Sequence, residues 1–361
     1  MVITTLVFIL ILSLLIIVHE FGHFIAARRA GVRVEEFSLG FGPQLFARKV
    51  GDTKYSLSLI PLGGYVKMAG DTLSECKGSS DEYFSKSPGV RFQIIFCGPL
   101  LNYILGFLFF WVILFVGYPT LTTKVGGLID GYGAKDAGIQ VADKIIAING
   151  KKIASWDDLQ NQIQQNKNKS SVGLSLIRNN QKLEFNVAIK SKILDNQLGE
   201  KKALGIIGIT PWDEVIEIRH GFIESAYLGL KKTTDLTIMT YQGIWRLASG
   251  QISMRDSMTG PLGIFDITAK VARSGIIAVM RWIAVLSVSL AVFNLLPLPI
   301  LDGGHIFLLG LEKLRKKTLS IKAERVMNNI GVSLMIMLAL FVTYNDILRL
   351  HGDKISKFIG K

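Results

Sequence analysis

The stretch IIVHEFGHFI, Ile16–Ile25, places two histidines and a glutamate directly behind the apolar run Val2–Val18. The apolar run predicts a helix that crosses a membrane. On such a helix His19 and His23, four apart, share a face with Glu20 beside them. Ionisable groups at the end of a span are costly and usually mark function. The spacing is H-E-x-x-H, in which two imidazoles can hold a zinc ion and the glutamate can act as a base on water.

Working outward, the 361 residues are 49% hydrophobic, and the apolar ones come in blocks. Those blocks are Val2–Val18, Phe92–Val116, Ile276–Leu296 and Ile330–Val342, the last reaching full length with Asn328 to Tyr344. Each can supply the ~20 residues that cross a bilayer. The formal charge of +13 would admit a nucleic-acid partner, but the Lys and Arg residues flank the spans or are spread thinly. Membrane orientation accounts for them, and the expected partner is the lipid bilayer, with no nucleic acid. Of the two cysteines, Cys76 lies in a polar loop and Cys97 in a span, so no disulfide is expected.

The first span has no basic residue before it, and Arg28, Arg29 and Arg33 follow. This is the reverse of a signal peptide and sets the N-terminus outside. The expected order is a first transmembrane helix (1–27), a cytoplasmic, membrane-associated β region (28–91) and a second transmembrane helix (92–118). A large exported region follows. A third transmembrane segment (276–311), a basic cytoplasmic loop (312–327), a fourth transmembrane helix (328–348) and an exported tail (349–361) complete the chain.

The β region reads from alternation at Lys54–Leu59 and a turn at Gly51–Asp52. Gly40, Gly42, Gly63 and Gly64 mark bends where backbones approach closely. In the exported region, the strand KIIAI, the turn Asn149–Gly150 and a following helix resemble a PDZ domain over 119–192, with Ala142–Asp143 where that family usually has Gly-Asp. A second strand pair turns at Asn179–Asn180. Residues 193–275 read as a linker and amphipathic juxtamembrane helices. The fold class is therefore a polytopic α-helical membrane protein with four transmembrane helices, a membrane-associated β-hairpin or sheet, and an exported PDZ-like α/β domain.

A catalytic zinc takes three protein ligands. The second polar intrusion into an apolar span is FNLLPLPILDGGH, Phe293–His305, where Pro297 and Pro299 break the helix and Gly303–Gly304 loosens it. Broken backbone at membrane depth survives where it is buried in protein or lines a wet cavity. Asp302 and His305 are both possible third ligands. Asn294 can hydrogen-bond a strained peptide or a developing oxyanion.

HEFGH, GFGP, PLGGYVKMAG, CGPLLN, the PDZ-like segment and NLLPLPILDGGH occur in an order that resembles the intramembrane site-2 protease family, in particular its RseP-like bacterial members. The resemblance implies zinc as cofactor, Asp302 as third ligand beside His19 and His23, and Glu20 as the catalytic base. It leaves His305 without a role. It also implies substrate-binding or transition-state support from Asn294, from Asn102 of the Gly98-Pro99-x-x-Asn102 motif, and from Gly40, Gly42, Gly63 and Gly64. The implied substrates are single-span membrane proteins of the bacterial inner membrane, such as anti-sigma factors already clipped outside or signal-peptide remnants. They would be cut toward the cytoplasmic side, with the PDZ-like domain outside. One PDZ-like domain is found where well-known RseP proteins have two. An edge strand of the Glu36–Met68 sheet, taken to include Leu57, is expected to pair with unwound substrate. The other readings are a non-catalytic PDZ-bearing scaffold, for which Glu20 would be dispensable, and a metal transporter, against which no internal repeat is visible.

Overall fold

In a bilayer, backbone donors and acceptors must be satisfied within the segment itself, so the apolar blocks fold as helices. The computed structural model describes residues 2–195, 201–316 and 320–358. Residues 317–319 of the basic loop and 359–361 of the tail lie outside them. The chain opens with α1 (Val2–Arg29), the strands β1 (Val34–Val50) and β2 (Thr53–Met68), and α2 (Pro88–Val116). Next come β3 (Tyr118–Leu121), β4 (Val125–Leu128), α3 (Gly133–Asp136), β5 (Lys144–Ile148), β6 (Lys151–Lys152) and α4 (Trp156–Gln165). They are followed by β7 (Ser171–Arg178), β8 (Gln181–Ala188), β9 (Lys190–Asp195), β10 (Lys201–Ile206), β11 (Ile209–Pro211) and β12 (Val215–Ile218). The last six helices are α5 (Phe222–Ala248), α6 (Met254–Ser257), α7 (Pro261–Arg273), α8 (Ile276–Asn294), α9 (Asp302–Arg315) and α10 (Ile321–Phe358). Among the described residues, four helices are long and apolar enough to cross a membrane: α1, α2, α8 and residues 325–349 of α10.

Two units arise, one of residues 1–112, 226–245 and 258–361, the other of 113–225 and 246–257. In the first, α1, α2 and α8 share an apolar core through Ile11, Leu15, Leu105 and Ile283. A second cluster joins Phe24 and Ala27 of α1, Ile94 and Ile95 of α2, and Leu309 of α9. Asp346 of α10 is fully buried and accepts the Gly260 and Gly263 N–H groups at 3.1 and 2.8 Å, holding the start of α7.

The long strands each fold on themselves. Residues 34–39 run against 68–64, residues 44–50 run against 58–53, and residues 36–39 lie beside 54–57 with the numbering rising on both sides. Four strand segments result, and the bend in β1 falls at Gly40 and Gly42, with φ of 91° and 85° in the left-handed region. Leu57 is paired on both sides, with Leu39 and Phe46. It is therefore an inner position, which corrects the expectation that it lies on the substrate-facing edge. Among the described residues, two segments pair on one side only and so form the free edges, residues 44–50 beside 53–58 and Gly64–Met68 beside the start of β1.

The second unit is built on an antiparallel sheet in the order β6-β5-β7-β8. Every other residue of β7 is buried, and Val172, Leu174 and Leu176 meet Trp156 and Leu159 of α4. Ser155 and Asp158 cap α4 reciprocally. Asn149–Gly150 and Asn179–Asn180 are left-handed turn pairs, as hairpins require. Ala142 has φ 75°, the conformation glycine adopts without strain, which explains why a glycine suits that place. The chain enters and leaves this sheet through the paired strands β3 and β12.

Candidate metal centre

α1 carries His19, Glu20 and His23 on its last turns, and close packing fixes where they point. A Cβ on Gly22 would overlap the Cys97 carbonyl of α2, and one on Gly98 would overlap the His23 ring. Both positions therefore need glycine for α1 and α2 to approach. His23 Nδ1 lies 3.0 Å from the Ile94 carbonyl oxygen, so it carries the proton and donates, leaving the Nε2 lone pair free. His19 Nδ1 lies 3.4 Å from the Asn102 amide nitrogen, and Asn102 is fully buried with an unpartnered Oδ1. The amide oxygen and nitrogen exchange places on half a revolution, so Oδ1 can take that position and accept from His19 Nδ1–H.

The third residue arrives from the broken segment between α8 and α9. Leu296, Pro297, Leu298 and Pro299 turn the chain, and Ile300 sits at φ 80°, a strained angle for a β-branched residue. The start of α9 then packs directly on that loop: a Cβ on Gly303 or Gly304 would overlap the carbonyls of Leu295, Leu296 or Leu298. Asp302, first residue of α9, is thereby set 3.1 Å (Oδ2) from His19 Nε2 and 3.5 Å (Oδ1) from His23 Nε2. The two Nε2 atoms are 3.3 Å apart. Ligand atoms of His19, His23 and Asp302 all lie within 4.8 Å of one another.

This set fits a zinc ion. Two ring nitrogens face each other and a carboxylate, the other nitrogen of His23 donates to the Ile94 carbonyl, and Asp302 Oδ2 is buried without a hydrogen bond. Lone pairs crowded in this way are stabilised by a cation between them, and two imidazoles with one carboxylate are a catalytic zinc donor set.

A cavity of about 560 Å³ opens from the centre, lined by Glu20, Tyr65, Val66, Asn294, His305 and the Arg91–Glu312 pair among others. At its edge, burial pushes the Asp71 carboxyl above the usual carboxylate range, against a bond from the Met68 N–H. Burial likewise pushes the Tyr83 phenol up, with Arg91 pulling it down. Asn294 Nδ2 is 3.4 Å from His19 Nε2, beside the ligand cluster. His305 lines the cavity outside that cluster. Of the four glycines singled out, Gly64 abuts the site, since a Cβ there would meet Glu20 Cγ at 3.2 Å. Gly40, Gly42 and Gly63 shape the sheet, Gly40 against the Ile60 carbonyl and Gly63 under the Phe41 ring. Sequence reasoning missed Gly22, the Ile94 carbonyl, Tyr83, Arg91 and Glu312. Gly22 is the one with a visible signal, a glycine between two candidate ligands.

Residues 7–338 match peptidase family M50. A relative in Campylobacter jejuni is 32% identical over 96% of this chain and 93% of its own. Zinc metalloprotease RasP of Bacillus licheniformis is 30% identical over 96% of this chain and 99% of its own. Regulator of sigma-W protease RasP of Bacillus subtilis is 29% identical over the same shares.

Proposed function

The chain belongs to peptidase family M50, the site-2 proteases, and from that premise we propose that this zinc metalloprotease cuts single-span membrane proteins within the inner membrane. Being an enzyme, it is neither the inert scaffold nor the metal transporter. The observation that carries the reading is the convergence of His19 and His23 of α1 with Asp302 of α9, beside Glu20.

We assign His19, His23 and Asp302 as the ligands. A zinc ion held by these three residues would supply Lewis acidity to water and to the scissile carbonyl. Glu20 takes a proton from the attacking water as its oxygen bonds the carbonyl carbon, then gives that proton to the amide nitrogen as the C–N bond breaks. Asn294 presents its amide N–H groups beside the reacting centre, where they stabilise the developing oxyanion. Asn102, fully buried against His19, orients that imidazole. Water reaches Glu20 through the cavity, where Asp71, Arg91 and Glu312 interrupt a largely apolar lining and which has room for several molecules.

A substrate helix must unwind before its peptide bond can be attacked, and its exposed backbone groups need partners. The free edge at Gly64–Met68 supplies them: Tyr65, Val66 and Met68 line the same cavity as Glu20. The basic segments 28–91 and 312–327 support an orientation with these residues toward the cytoplasm and the PDZ-like unit outside. The substrates we favour are anti-sigma factors already clipped outside, a class consistent with the name of the Bacillus subtilis relative, or signal-peptide remnants.

Glu20→Gln tests the assignment. On a single-span reporter, cleavage should fall by about 10²–10⁴-fold, the usual worth of a positioned acid–base group, with zinc content unchanged. Wild-type cleavage by this variant would remove Glu20 from the chemistry.

A further inference from the structure

Asp302 must hold its place to a few tenths of an ångström, yet it stands at the start of a short helix that follows broken backbone. α9 has no side-chain cap at its N-terminus, and Gly303 and Gly304 form its first turn. Close packing of Gly303 and Gly304 on the loop carbonyls seats its first turn, and apolar packing of Ile306 and Leu309 restrains its middle. A second, directional anchor lies nearly three turns on, about 15 Å along the axis. There Glu312 makes an ion pair with Arg91, the side chains being 13% and 3% exposed. The Arg91 guanidinium also lies 5.1 Å over the Phe84 ring.

Arg91 belongs to the first turn of α2, and its neighbour one turn on is Ile94, whose carbonyl receives the His23 N–H. One stretch of α2 thus touches both halves of the centre, His23 through a backbone oxygen and α9 through a buried charge pair. We propose that Arg91 and Glu312 are positioning residues for the metal: their ion pair locks α9 to α2 and so sets Asp302 against His19 and His23. The Nη2–Oε1 contact suits the task, because a buried charge-assisted hydrogen bond is directional as well as strong. The inference rests on the assignment of Asp302 as third ligand.

The test is a cobalt(II) titration of the metal-free, full-length protein in detergent, followed by visible absorption, which reports ligand number and geometry. Arg91→Met and Glu312→Gln should bind cobalt(II) about 10–100-fold more weakly, the range expected when support behind a ligand is lost, with weaker visible bands. The reversed pair, Arg91→Glu with Glu312→Arg, should recover most of the affinity. Asp346→Asn, which disturbs a different buried carboxylate in the same unit, should bind like wild type. Wild-type affinity and spectrum in both single variants would overturn the clamp. So would an equal loss in Asp346→Asn, since the pair would then be one stability element among others. Asp302→Ala separates the two readings. If it loses cobalt(II) while the Arg91 and Glu312 variants do not, the clamp alone fails. If it binds like wild type, the ligand assignment fails and the clamp with it.

Discussion

Two imidazole nitrogens facing each other at 3.3 Å, with a carboxylate oxygen 3.1 Å from one of them, are an arrangement that side-chain electrostatics alone would not favour. Backbone and glycines impose it. The Ile94 carbonyl sets the His23 tautomer, Asn102 faces His19, and Gly22 and Gly98 remove the Cβ atoms that would hold α1 and α2 apart. Replacing Gly98 by alanine should therefore turn the His23 ring and weaken zinc binding by about 10–100-fold, as a competitive chelator titration would read. Wild-type affinity would show that the contact has slack. The H-E-x-x-H spacing made α1's contribution legible in the sequence, because four residues are one helical turn. The choice between Asp302 and His305 was not legible from chemistry alone. It depends on which way α9 leaves a loop containing Ile300 at positive φ, and strain of that kind leaves no mark on a β-branched residue's identity.

At the scale of elements, the β region was readable as strands from Lys54–Leu59 and its bends from Gly40 and Gly42, but the sheet order was not. Both long strands double back, so an alternating pattern continues through a change of partner, and Leu57 moves from an apparent edge to the interior. The edge that faces the cavity is Gly64–Met68. The Met68 N–H donates to Asp71 Oδ2 at 3.2 Å, away from β1, and by alternation the Val66 N–H points the same way. Proline at 66 thus removes one free-edge donor without removing a bond to β1. Val66→Pro should slow reporter cleavage several-fold or more with zinc content intact, whereas unchanged cleavage would rule out pairing of substrate at this edge. The third apolar block was visible as a broken span, since two prolines and a glycine pair cannot continue a helix, and the break is residues 295–301.

For the whole molecule, apolar blocks and basic flanks were enough to list the membrane helices, because hydrophobic length is a one-dimensional property. Harder to read was the strand pair at the base of the PDZ-like unit, its neck. β3 and β12 are nearly a hundred residues apart in sequence, and the short apolar stretches that pair there carry no mark of each other. The neck now defines a clean excision. Joining Thr123 to Asp213 through a flexible Gly-Ser linker removes the PDZ-like sheet and leaves β3 and β12 to pair. If that unit screens substrates by the bulk of their outer domains, the shortened protein should cleave a reporter whose outer domain has not been trimmed. If the excision abolishes cleavage of trimmed and untrimmed reporters alike, the unit supports activity instead of gating it.

The central claim is that residues from α1 and α9 close on one zinc ion, and X-ray absorption at the zinc edge of the purified full-length protein reads that ion's neighbours directly. The account predicts two imidazole nitrogens at about 2.0–2.1 Å with oxygen neighbours at about 2.0–2.2 Å, and loss of one oxygen in Asp302→Ala. A third imidazole, which would bring in His305, or an oxygen shell unchanged in Asp302→Ala, would contradict it.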